Sequence, residues 1–131
     1  KSLSNLVKQS KVINKSKGDL KISFIKSSKT KFNGSNKNDI ISLNSKLNNK
    51  TVFVKGGKGS DVFIIKKGKG QMFIKDFKNN QDEINFANCG SSNKIKLSKK
   101  GKDAQIFYGS DLLATVKKGW GKLNKKNNGF V

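Results

Sequence analysis

The chain has 131 residues, of which 29 are basic and 8 acidic, so the formal net charge is 29 − 8 = +21. A single Cys excludes an intrachain disulfide, and the absence of His excludes His-based catalytic triads and the usual zinc sites. The length allows one domain with a modest core, and no apolar run approaches the ~18 residues that a membrane-spanning helix requires. Every basic residue is Lys, and Asn occurs 16 times. A compositional bias would account for Lys in place of Arg, but not for the shortage of acids.

The chain opens on Lys1 rather than Met and shows no intact signal peptide, as expected of a processed product or a fragment. Leu3, Leu6 and Val7 fall at helical spacing, with Ser2 or Ser4 available as an N-cap, and predict a short cap over residues 1–17. From there a repeat takes over. Asp19, Asp39, Asp61, Asp82 and Asp103 are 20, 22, 21 and 21 residues apart, and each precedes an alternating apolar segment such as Ile40-Ile41-Ser42-Leu43 or Val62-Phe63-Ile64-Ile65. A second series lies between them: Val12-Ile13, Phe32, Val52-Phe53-Val54, Met72-Phe73-Ile74, Ile95-Lys96-Leu97 and Thr115-Val116.

A short strand with one buried face needs the strands above and below it to complete its burial, so two strands recurring at this period predict stacked coils. An antiparallel sandwich also gives closely spaced turn signals, but it offers no reason to repeat Asp at one register. The expected fold is all-β: a parallel β-roll or β-helix solenoid of about five coils with two short strands each. It forms a single domain over 1–131, with an N-terminal cap at 1–17, coils at 18–118 and a C-terminal cap or tail at 119–131, where Trp120 packs over the last coil.

The most specific stretch is Gly56-Gly57-Lys58-Gly59-Ser60-Asp61-Val62-Phe63-Ile64. It meets every fixed position of the nonapeptide Gly-Gly-x-Gly-x-Asp-x-apolar-x, and here the sequence resembles the RTX family. Lys75 to Phe86 is similar to the segment that closes RTX blocks, and Asp103 to Val116 to the final strands of such regions in secreted bacterial chains; the resemblance covers residues 33–118. It implies a β-roll with calcium between stacked turns. One or two sites would be built around Asp61, the Gly57 and Gly59 carbonyls, and a carboxylate from Asp39 or Asp82. The plainer role for Asp61 is to tie down its own turn through the backbone. Gly34 to Asp39 keeps only the first Gly and the Asp of such a turn, and Lys37 and Lys58 sit in loops that would face the same cation.

Lys31, Lys55, Lys75, Lys96 and Lys117 lie beside the second strand series at intervals of 24, 20, 21 and 21. At ~4.8 Å between stacked strands such a column of like charges repels itself, and a linear polyanion laid along it relieves the repulsion. The expected function is a secreted, non-catalytic module at the cell surface or in matrix that binds acidic polymers through these lysines, with uronic-acid or sulfated polysaccharide, lipopolysaccharide and teichoic acid all qualifying. Two other readings stand beside it: a calcium-folded secretion or self-assembling module that associates through its open ends, and a non-specific nucleic-acid binder. Specific base readout is not expected, because Lys lacks the planar fork of Arg. Cys89 reads as a small buried apolar residue, and the carboxylates fall at turn positions that the repeat already explains, so no catalysis is expected.

Overall fold

The computed structural model describes residues 20–25, 30–43, 50–68, 70–87, 94–126 and 128–131. The N-terminal cap, Asp19 and Cys89 lie outside the described residues. Among the described residues, runs of β-branched and aromatic residues broken by Gly, Asn and Ser turns form twelve short strands in two six-stranded sheets. The first sheet has the order β1 (Leu20–Ile25), β3 (Asn38–Leu43), β5 (Val62–Lys66), β7 (Glu83–Ala87), β12 (Gly129–Phe130) and β11 (Lys125–Lys126). The second has the order β2 (Lys31–Asn33), β4 (Thr51–Lys55), β6 (Gln71–Ile74), β10 (Asp111–Val116), β9 (Asp103–Tyr108) and β8 (Ile95–Lys100).

This arrangement corrects the expected fold. Through β7 each strand pairs in parallel with the strand two further along the chain. Beyond that point the pattern stops. The chain crosses to the far edge of the second sheet and returns as an antiparallel meander, β8 against β9 and β9 against β10, which brings β10 parallel to β6. The tail then adds β12 antiparallel to β7 and β11 antiparallel to β12. The protein is thus a pair of mixed sheets with non-consecutive strand order, and the uniform five-coil β-roll is overturned. Asp103 shows why the spacing misled: it stands 21 residues after Asp82, yet it opens a strand of the other sheet that runs in an antiparallel hairpin.

The main core lies between the sheets. Val52 and Val54 of β4, Met72 and Ile74 of β6, and Ala114 and Val116 of β10 face inward against Phe63 and Ile65 of β5 and Ile84 and Phe86 of β7. In β5 the residues Val62 to Ile65 are all buried, because Val62 and Ile64 join Ile40 and Ala87 in a second cluster apart from the main core. A parallel strand covered on both faces reads as an unbroken apolar run, and this one does. β4 and β6 instead alternate, so their partly or fully exposed residues project outward from the second sheet. Among the described residues no helix is long and apolar enough to cross a membrane.

Candidate functional site

Two columns of like-charged residues stand at different places on this frame. The first is the aspartate corner at the start of β3, β5 and β7. The amide of Asp39 donates to Asp61 Oδ1 at 2.9 Å, and the amide of Asp61 donates to Asp82 Oδ1 at 2.9 Å. Each carboxylate thereby ties its own turn to the neighbouring strand's turn. Other oxygens of the corner brace their own turns: Asp39 accepts from the Ser35 amide and hydroxyl at 2.8 Å each, and Asp82 Oδ2 accepts from the Lys78 amide at 3.0 Å. Asp76, which follows β6, accepts the amides of Gly56 and Gly57 at 2.8 and 2.9 Å.

The glycine turn is shaped by this stacking. Gly57 and Gly59 have φ of 82° and 91°, the left-handed region that side chains avoid, and a Cβ on either would lie 2.6 Å from a carbonyl oxygen of the 34–38 loop. In that loop Asn36 and Asn38 do not take left-handed angles. Asn38 instead opens β3 and accepts the Ser60 amide on its Oδ1 at 2.7 Å.

The expected calcium site is not formed. Among the described residues no group of three or more His, Cys, Asp or Glu side chains could hold a metal ion. The two carbonyl oxygens proposed as ligands already have partners: Lys78 Nζ donates to the Gly57 carbonyl at 3.2 Å, and Gln81 Nε2 donates to the Gly59 carbonyl at 2.8 Å. An ammonium and an amide stand where a cation was expected, and both arise 21 or 22 residues after the carbonyl they cap. The repeat spacing that pointed to the aspartates would have pointed to these two side chains as well.

One carboxylate oxygen is unmatched. Asp61 is 1% exposed, and its Oδ2 has no hydrogen-bond partner among the described residues; it packs so close to Gly56 that a Cβ there would lie 2.5 Å away. Burial pushes the Asp61 carboxyl up to about 8; the Asp39 amide opposes the rise, and the neighbouring charges of Asp82, Asp39 and Asp76 add to it. Asp82 is raised too, again chiefly by burial, and is held back by the amides of Asp61 and Lys78 and by the Lys78 charge. Among the described residues the Asp61 carboxylate has no hydrogen bond within its own turn; its Oδ1 fastens the neighbouring turn instead, by accepting the Asp39 amide.

The second column is cationic and lies in solvent. On the outer face of the second sheet β4 presents Thr51, Phe53 and Lys55, while β6 presents Gln71, Phe73 and Lys75 in register with them. β10 continues with Thr115 beside Phe73, then Lys117. Successive backbone bonds, Lys75 amide to Val54 carbonyl and Lys117 amide to Ile74 carbonyl, fix Lys55, Lys75 and Lys117 as three adjacent exposed rungs. Lys31 pairs with Phe53 and so stands one row away, with Asn33 beside Lys55. Lys96 pairs with Phe107 on edge strand β8, three strands from β6. The five lysines therefore divide into a row of three and two outlying members.

Beside the row the face is aromatic and then polar. The Phe53 and Phe73 rings are 5.2 Å apart and tilted by 46°, with Phe53 39% exposed. Thr115 Oγ1 donates to Gln71 Oε1 at 2.6 Å, and Gln71 Nε2 approaches Thr51 Oγ1 at 3.5 Å. The phenylalanines are 20 residues apart, so the period that located the lysines would have located this pair too. Trp120 is 41% exposed and its amide donates to the Lys102 carbonyl, which places it at the β8–β9 hairpin rather than over a stack of coils.

No protein-family model, curated protein or solved structure matches the chain. The RTX resemblance is thereby corrected. One full nonapeptide remains a real turn, but the two mixed sheets and the capped carbonyls are not the calcium-bearing roll that the resemblance implied.

Proposed function

We propose that the protein binds an acidic polysaccharide on the outer face of its second sheet, without catalysis and outside the cell or at its surface. The observation that carries this reading is the row Lys55, Lys75 and Lys117, three exposed lysines on adjacent strands with exposed Phe53 and half-buried Phe73 alongside. At ~4.8 Å between strands the row is a spaced track of point charges that attract carboxylates without the planar geometry a guanidinium imposes. The Phe53–Phe73 pair adds a platform on which a sugar ring can stack, which favours a ring polymer over a bare phosphate chain. The net charge of +21 strengthens encounter with any polyanion and lends no specificity.

The test is binding of a polyuronate to the native chain and to a Lys55→Gln, Lys75→Gln, Lys117→Gln triple variant at low and moderate salt. A control variant removes the same charge at exposed Lys58, Lys122 and Lys125. Affinity is expected to fall roughly tenfold or more in the row variant, with a flatter salt dependence, and to fall little in the control. Equal losses in both variants would reduce the reading to general electrostatics. Duplex DNA bound as tightly as the polyuronate, with Phe53→Ala and Phe73→Ala without effect, would favour the nucleic-acid reading.

A further inference from the structure

The second sheet ends on β8, and that edge is open: among the described residues no strand pairs with β8 on the side away from β9. The hairpin fixes which backbone groups face outward. A two-residue turn, Gly101-Lys102, joins Lys100 to its partner Asp103, and at the far end the Gly109 amide donates to the Lys94 carbonyl at 3.0 Å. In an antiparallel ladder successive residues alternate between bonding the partner strand and facing away from it. Lys94, Lys96, Ser98 and Lys100 therefore turn their backbone groups to β9, and those of Ile95, Leu97 and Lys99 line the free edge.

The side chains add two features to this edge. Leu97 lies opposite fully buried Ile106 and so stands on the core side with buried Ile95, yet it is 36% exposed. Every residue of β8 after Ile95 is exposed, and the strand carries no acid. Five lysines fall between Lys94 and Lys102, against one acid across the hairpin, Asp103, whose Oδ1 accepts the Lys118 amide at 2.8 Å. Lysines on an edge guard it against pairing with another copy of the same chain. A guard of one sign still admits a strand of the opposite sign. This chain has no acid-rich stretch to supply one: its 8 acids are dispersed, and the only adjacent pair, Asp82-Glu83, is at the start of β7.

We infer that β8 takes an extended acidic segment of another protein as an added strand. The segment alternates acidic and apolar residues, so that its acids meet Lys96 and Lys100 on the outer face while an apolar side chain covers Leu97 on the other. Main-chain bonds to Ile95, Leu97 and Lys99 supply affinity, and the alternation supplies specificity. This interface is independent of the polysaccharide reading, which uses side chains on a different part of the sheet.

The experiment measures binding of a fluorescently labelled peptide of alternating Glu and Val to the native protein, by anisotropy, beside two N-methylated versions of the same peptide. Only every second amide of an added strand faces β8, so methylating one alternate set is expected to weaken binding roughly tenfold or more, and methylating the other set to change it little. Leu97→Pro removes an outward amide while leaving the bonds to β9, and should weaken the unmodified peptide in the same way. Lys96→Gln combined with Lys100→Gln should weaken it severalfold and flatten its salt dependence. The variant changed at Lys55, Lys75 and Lys117 should bind the peptide as the native protein does. Equal binding of both methylated peptides, or of polyglutamate without the apolar residues, would reduce the edge to bare charge and overturn the inference. Slow exchange of the Leu97 and Lys99 amides in the free protein, or a dimer that Leu97→Pro dissolves, would overturn it as well, by showing the edge already taken. Absence of peptide binding at low salt would do the same.

Discussion

The aspartate corner and the lysine row are both columns of one ionisable residue type laid down by nearly the same spacing, and the fold treats them oppositely. Asp39, Asp61 and Asp82 are about 1% exposed, and each accepts at least one backbone amide. Lys55, Lys75 and Lys117 remain in solvent with their charges outward. A carboxylate is short and accepts hydrogen bonds, so at a tight turn it finds amide donors and can be buried. An ammonium on a long stem has only donors to offer and stays hydrated. Spacing makes a column; the donor and acceptor inventory of its side chains decides whether the column is structure or surface.

The contrast can be broken most sharply at Asp82. Asp82→Ala strands the amides of Asp61 and Lys78, and with roughly 1–3 kcal/mol lost for each unpaired group the expected destabilisation is roughly 2–6 kcal/mol. Chemical denaturation reads this directly, and a loss under about 0.5 kcal/mol would show that the corner does not hold the turns.

Asp61→Asn is the next most informative change. The folded carboxyl titrates near 8 against an ordinary value of 3.8, so between those limits the folded chain keeps a proton that the unfolded chain has released. The associated stability is full below pH ~4 and is lost as pH rises towards ~8. Denaturation midpoints of the native protein should therefore decline over that range, and those of Asp61→Asn should decline less. Some slope will persist, because Asp82 is raised in the same sense. Parallel pH profiles for the two proteins would refute the assignment.

The lysine row should respond in the opposite way. Changing Lys55, Lys75 and Lys117 together to Gln is expected to leave stability within about 0.5 kcal/mol, with any change in the direction of a gain, since exposed like charges repel and water screens them. A large loss would mean that the stems pack more tightly than their exposure indicates. The smallest effect belongs to calcium. Adding the ion or a chelator should not move the thermal midpoint, because Lys78 and Gln81 already cap the Gly57 and Gly59 carbonyls; a calcium-dependent rise would restore the corner as a metal site.

The sequence itself determined an all-β chain built from short strands, the glycine turn at 56–60 and the outward Lys55, Lys75 and Lys117. Each of these follows from local pattern, since alternation fixes facing and Gly permits the left-handed turn. Only the tertiary structure decided where the parallel pairing stops, that Asp103 and Lys96 belong to an antiparallel meander, and that the proposed ligand carbonyls meet an ammonium and an amide. Partner choice is not written in a strand's own periodicity. A strand at one spacing can join its neighbour's edge in either direction, and the edge left open by the rest of the chain selects which.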